Sequence, residues 1–290
     1  MTRSVTPRVR TLRRRYPGAD VVDLHYRVDA RRDRPGQGPP FVFVHGFGCG
    51  LEDWRAQVDS LEPDFPVFRC DLPGHGDSTH RLRHCRVEEL GHHVAALLEH
   101  EGLRDACLGG HSLGCRVVLQ AAADAPYRVG GVVLVDGSWI GHGDAAALEK
   151  EAREAFENTG FEPMVRRLFA EMFLPGTDPA LVEATIERAL ALDPEVGTTL
   201  FGSLVAWDCG RMEPVLEALE CPVLAIQSTY LNTARERVAV APGGSTPWLD
   251  LLRSKRPDAR IELLPGVGHF AMREGAEAVN GWLRVFARGG

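Results

Sequence analysis

The chain has 290 residues, 40 acidic against 33 basic side chains, and 44% hydrophobic content. A net charge of −7 excludes the basic footprint that nucleic acid or an anionic membrane surface demands, and no apolar run approaches the ~18 residues of a membrane span. Charged residues at 25% with ordinary glycine and proline exclude a disordered or collagen-like chain, leaving one large domain with material for a real core.

The first fifteen residues carry Arg3, Arg8, Arg10, Arg13, Arg14 and Arg15 without an acid. They lack an apolar h-region, so they are read as a solvated arm and not as a secretory signal. Val21–Val28 alternates as an early strand, and the Gly/Pro/Arg stretch 30–40 connects it to Phe41–Val44, a continuous apolar run of the kind a doubly covered sheet requires. Asp53–Leu61 reads as a short helix, Val67–Cys70 as a strand, and Val87–His100 as a helix with Gly102 just past its end. A strand at Ala106–Gly109, a helix at Leu113–Ala123 and a strand at Val129–Val135 follow. Pro222–Gln227 and Arg260–Leu264 are further strands, each with a helix after it. Strand and helix alternate as in a parallel α/β sheet.

Between Trp139 and Arg211 the strand pattern stops. Asp144 caps a helix at Ala145–Asn158, Asp178-Pro179 and Asp193-Pro194 each pair an N-cap with an N1 proline, and Pro163 opens a fourth helix. An all-helical insertion in an α/β chain reads as a lid over a site at the strand ends. The division is therefore 1–138 and 212–290 for the core, with 1–20 as the arm, and 139–211 for the lid. The seven cysteines are scattered without a C-x-x-C spacing. That argues against a metal site or a disulfide framework and for a reducing, cytoplasmic setting.

Gly110-His111-Ser112-Leu113-Gly114 matches G-x-S-x-G between a strand and a helix, the context in which the motif carries a nucleophile. Ser112 then sits on a strained turn with its hydroxyl above the sheet, and the two glycines let strand and helix approach. Upstream, Phe41–Val44 ends in His45-Gly46-Phe47-Gly48. Its loop can supply one oxyanion donor, the N–H of Phe47, beside the N–H of Leu113. His45 is read as a ring that holds this loop. The base is His269 in Gly266-Val267-Gly268-His269-Phe270, after the last strand. Trp139, where the insertion begins, and His111, beside the nucleophile, are assigned to substrate binding.

With these motifs in order, and with Asp71-Leu72-Pro73-Gly74-His75-Gly76-Asp77-Ser78 between them, the chain from Val21 onward resembles the α/β-hydrolase superfamily. The resemblance implies an α/β fold with a mostly parallel eight-stranded sheet flanked by helices, and a helical cap after the sixth strand. It places the triad acid most often after the seventh strand, yet residues 228–232 hold no carboxylate. Some members carry it after the sixth strand, where Asp136 follows Val135 directly. Asp136 is the choice, ahead of Asp250 and Asp258. Asp71, His75 and Asp77 read as loop staples, His92 and His93 as surface or packing residues, and Cys49 and Cys115 as small buried hydrophobes.

The function expected is a cofactor-independent serine hydrolase, acting on an ester or lactone of a mostly apolar small molecule. The lid's aromatic and methionine content points to that substrate class. Acyl transfer or C–C cleavage by the same triad, and a hydrolase-like receptor, are the alternatives. No metal, nucleotide, nucleic acid or membrane partner is expected, and a homodimer is compatible. No arginine can be assigned to the site.

Overall fold

The computed structural model describes residues 8–16, 20–29, 38–232 and 236–289. In chain order its strands are β1 (Arg8–Tyr16), β2 (Asp20–Asp29), β3 (Phe41–Val44), β4 (Val67–Cys70), β5 (Ala106–His111), β6 (Val129–Val135), β7 (Val223–Gln227), β8 (Thr229–Leu231), β9 (Arg237–Ala239) and β10 (Arg260–Leu263). Eight of them form one sheet in the order β1-β2-β4-β3-β5-β6-β7-β10, and β8 pairs with β9 as a separate hairpin. The pairings from β4 to β10 are parallel, and only β2 runs against its neighbours. Every residue of β3, β4, β5 and β7 is buried. These continuous apolar runs are what a sheet covered on both faces selects.

Helices α1 (Arg55–Leu61), α2 (Val87–His100), α3 (Leu113–Asp124), α4 (Ala145–Thr159), α5 (Phe161–Ala170), α6 (Pro179–Leu190), α7 (Pro194–Gly210), α8 (Met212–Ala218), α9 (Pro247–Lys255), α10 (Ala271–Glu274) and α11 (Ala276–Ala287) complete the fold. α1 packs with α10 and α11, while α2, α3, α8 and α9 pack in succession. This is an α/β-hydrolase fold, a mostly parallel eight-stranded sheet flanked by helices. Between β6 and β7 the chain is helical, as its caps foretell. Asp144, Asp178 and Asp193 each accept a first-turn N–H, and Pro179 and Pro194 open their helices. α5 begins at Phe161, two residues before the proline expected to open it. Pro163 is tolerated there because first-turn N–H groups have no partner inside the helix.

Three expectations are corrected. Residues 8–15, read as part of a solvated arm, instead lie in β1, zipped to β2 from Arg8↔Val28 to Tyr16↔Asp20. Their arginines find acids outside their own segment: Arg10 pairs with Glu101 and Arg13 with Asp23. Leu12 alone is buried, so an edge strand with charge along it passes for an arm in sequence. Asp20, the last residue of that arm, opens β2, and residues 1–7 and 17–19 lie outside the described residues. The helix expected at Asp53–Leu61 opens earlier, as a 3-10 turn at Leu51–Trp54 that leads into α1. The hairpin β8–β9 between β7 and α9 was not foreseen.

Candidate active site

Ser112 is the single residue between β5 and α3. Its backbone lies at φ 54°, ψ −112°, a conformation non-glycine residues rarely adopt, at a cost of about 1–3 kcal/mol. Close packing around it explains the flanking glycines. A Cβ on Gly110 would stand 2.3 Å from the carbonyl oxygen of Gly114, and one on Gly114 would stand 2.4 Å from that of Val44. A Cβ on Gly46 would meet His111 Nδ1 at 2.9 Å and Ser112 Cβ at 3.3 Å. The loop after β3 is thus pressed against the serine, and the Phe47 peptide follows directly from it. The N–H of Leu113 is the first of α3. Neither it nor that of Phe47 is spent on an acceptor among the described residues.

His269 lies in the loop after β10, fully buried, with Nδ1 2.5 Å from Asp136 Oδ2. Asp136 is the residue directly after β6, also fully buried and at φ 48°. Its Oδ1 accepts the N–H of Ser228 at 2.7 Å, the hydroxyl of Ser228 at 2.9 Å and the N–H of Thr229 at 2.7 Å, while the Thr229 hydroxyl donates to Oδ2. The end of β7 holds no carboxylate and instead supplies the donors that fix one on β6. Burial pushes the Asp136 carboxyl up, but His269 and the positive charge of Arg237 outweigh it and hold the group below its ordinary range. His269 Nε2, the nitrogen turned away from Asp136, is buried and makes no hydrogen bond among the described residues. Burial, and then the charge of Arg237, lower His269 from 6.5 to about 4, so the ring is neutral at pH 7.

Arg237, on β9, is the site residue that sequence reasoning missed. Its Nη1 lies 3.0 Å from His269 Nδ1, 2.9 Å from Thr229 Oγ1 and 3.7 Å from Asp136 Oδ2. The side chain is only 10% exposed. With Nδ1–H donated to Asp136, the contact with His269 is one between donors, so it acts through charge and not as a hydrogen bond.

His111 is buried, and its Nε2 donates to the carbonyl of His269 at 2.9 Å with the two rings 4.7 Å apart. Its donor nitrogen is therefore spent on the histidine loop and not turned to a ligand. Burial, then the neighbouring His269, push it well below the usual histidine range. Trp139 is half-buried, its Nε1 without a partner among the described residues. His45 does hold its loop: Nδ1 donates to Gly46 O at 2.8 Å, and Nε2 accepts from the N–H of Leu72 at 3.0 Å. Asp71 staples Leu51 and His25, and His75 accepts from the N–H of Gly48. Asp77 is exposed. Cys49 and Cys115 are buried, and burial pushes both thiols up, Cys115 to about 12, so neither offers a thiolate.

The helical segment meets the site at several points. Phe47 lies 6.4 Å from the ring of Phe169 on α5 and 6.0 Å from that of Phe201 on α7. The carbonyl of Met172 accepts the N–H of His269 at 2.8 Å, and Phe173 stacks on Phe270 at 5.1 Å. Arg116, one turn into α3, is buried against Asp208 of α7 at 2.7 Å and also reaches the carbonyls of Ser112 and Ser138. No helix among the described residues is long and apolar enough to cross a membrane.

A family model described as the alpha/beta hydrolase fold matches residues 39–160. Two curated relatives, from Pseudomonas putida and Cupriavidus necator, are named dihydrolipoyllysine-residue acetyltransferase component of acetoin cleaving system. They are 31% and 30% identical over 87% and 93% of this chain. The chain spans 64% and 68% of their lengths. A pimeloyl-[acyl-carrier protein] methyl ester esterase of Nitrosomonas europaea is 27% identical over 81% of this chain and 90% of its own length. Among solved structures, a hydrolase from Pseudomonas aeruginosa superposes with a TM-score of 0.75 at 24% identity, over 96% of this chain and 97% of its own. That likeness speaks for the fold alone.

Proposed function

The chain belongs to the α/β-hydrolase family, as an enzyme of the ester-hydrolase kind, and from that premise we propose that it is a cofactor-independent serine hydrolase cleaving an ester or lactone of a mostly apolar small molecule. One observation carries the reading. A buried, neutral His269 is held by Asp136 through Nδ1 with Nε2 unspent, and Ser112 stands on a strained elbow beside His111, whose ring packs on that histidine. Ser112 Oγ would attack the carbonyl carbon as its proton passes to His269 Nε2. The N–H groups of Phe47 and Leu113 would hold the oxyanion, each worth on the order of 3 kcal/mol of barrier. The leaving alkoxide takes the proton back from Nε2 and departs, leaving an acyl-serine. Water, deprotonated by the same nitrogen, then releases the acid and restores Ser112. The serine–histidine hydrogen bond is not formed in this structure, and such bonds commonly tighten only with substrate in place.

The substrate class follows from what stands around Phe47. Residues 139–211 are proposed as a lid, with Phe169, Phe201 and Trp139 as its apolar contribution to an acyl pocket. The fit is to a hydrophobic acyl or alcohol group rather than a charged one.

Acyl transfer is the second reading, favoured by the names of the relatives at 31% and 30% identity. In it an alcohol or thiol replaces water at the acyl-serine. Intact mass after fluorophosphonate treatment tests the common core. A single adduct is expected on the wild type and none on Ser112→Ala. An unlabelled, folded wild type overturns the reading. Product analysis with an ester and a competing alcohol then separates hydrolysis from transfer.

A further inference from the structure

At the other end of the sheet, three side chains remain that the reaction does not use. We propose that His84, Glu89 and His93 form a binding site for a zinc-class divalent metal, clamping the β1–β2 edge of the sheet to α2.

Glu89 and His93 stand one turn apart on α2 and therefore share a face. His84 ends the 3-10 turn Leu82–His84 that precedes this helix. The three donor atoms converge, all within 4.8 Å of one another. His84 Nδ1 lies 3.3 Å from Glu89 Oε2 and 3.4 Å from His93 Nε2. A tetrahedral ion with bonds of about 2.0–2.1 Å to nitrogen and oxygen sets its ligands about 3.3–3.4 Å apart. Both of these distances fall on that spacing.

The surroundings are those of a ligand set. His84 Nε2 donates to Asp20 Oδ2 at 2.7 Å, and Asp20 is itself held by Arg83. A carboxylate on the far nitrogen fixes the tautomer, so Nδ1 presents a lone pair to the centre of the cluster. Glu89 presents another, 3.3 Å away. A dication at the centre would satisfy both acceptors at once. Arg14 donates to the carbonyl of His92 and lies over the ring of Tyr16. Tyr16 of β1 closes the site, its ring 4.6 Å from that of His84 and its hydroxyl 3.4 Å from His93 Nδ1. His84 and His93 are buried and Glu89 is partly exposed. Two imidazoles and one carboxylate form a ligand set that zinc accepts.

The test uses the untagged full chain, stripped with a chelator and dialysed against zinc chloride or cobalt chloride. One equivalent of zinc per chain is expected, with a rise in Tm on zinc addition. Cobalt should show the intense visible bands of a tetrahedral ion without thiolate charge transfer, which separates this site from the free cysteines. Glu89→Gln, partly exposed and isosteric, and His93→Asn should each weaken zinc at least about ten-fold, with circular dichroism unchanged. Asp20→Asn should weaken it by about 10–100-fold through the orienting contact. A wild type that holds no stoichiometric zinc overturns the proposal. So does zinc binding that Glu89→Gln and His93→Asn both leave intact, or a cobalt spectrum with sulfur ligation.

Discussion

Arg237→Gln removes a buried positive charge whose Nη1 lies 3.0 Å from His269 Nδ1, and leaves a shorter, neutral amide in its place. Burial and this charge together hold the imidazole at about 4, against an ordinary 6.5. At an effective dielectric near 20, a unit charge about 5 Å from the ring is worth about 3 kcal/mol, or about 2 pH units, as an upper bound. Burial is the larger cause and survives the substitution, so the expected return is about 1 pH unit. A base must be unprotonated to act, so the acid limb of kcat/KM should move up by that amount in the variant. The assay is kcat/KM for a chromogenic short-chain ester from pH 3 to 8, with Arg237→Lys as the variant that keeps the charge and the wild-type limb. The same shift has a stability reading. Between pH 6.5 and about 4 the unfolded chain binds a proton that folded His269 refuses, so its contribution is lost as pH falls through that window. Arg237→Gln should narrow the window from its lower side. Coincident acid limbs for wild type and Arg237→Gln would refute the argument, because the charge would then be screened from the ring.

Asp136→Asn keeps the shape of the site but offers His269 the wrong partner, and kcat should fall by about 10⁴ with Tm little changed; near-wild-type turnover would remove Asp136 from the triad. Gly114→Ala forces a Cβ within 2.4 Å of the Val44 carbonyl, and urea unfolding should show a loss of about 3 kcal/mol. An unchanged midpoint would contradict the packing described for the elbow. Arg116→Met strands the buried Asp208 carboxylate and should cost about 3–5 kcal/mol, while Arg116→Met with Asp208→Leu should recover most of it. Additive losses in the double variant would mean that the two groups do not act as a pair.

The parts of the site legible in sequence are those fixed by the chain immediately around them. Ser112, Gly110 and Gly114 lie within one strand-to-helix turn, and the steric demand on each is local. Asp136 could be found because it follows β6 without a gap and because residues 228–232 offer no acid. Arg237 is hidden for the opposite reason. It reaches the histidine from a three-residue strand in a hairpin, too short to leave a periodic pattern. His111 was legible as a neighbour of the serine but not in its role, since the carbonyl it binds belongs to a residue 158 positions away. β1 shows the same limit on the fold: nine residues with one buried side chain carry no alternation, and the acids that neutralise them come from other elements. Chemistry contributed by contact between distant segments has no pattern along the chain.

The position of His269 depends on three separate parts of the fold. β6 supplies Asp136 to its Nδ1, the end of β5 supplies His111 to its carbonyl, and the helical segment supplies the Met172 carbonyl to its N–H. The first two belong to the buried sheet and are as rigid as its packing. The third belongs to the helical segment, which meets this part of the site through the Met172 carbonyl and through Phe173 on Phe270. Any displacement of that segment that lengthens the Met172 contact also releases one of the three restraints on the base. A proton acceptor works only within hydrogen-bond reach of its donor, about 2.6–3.2 Å between heavy atoms. Substitutions around Met172 and Phe173 should therefore alter kcat as well as KM, even though neither side chain belongs to the proposed triad.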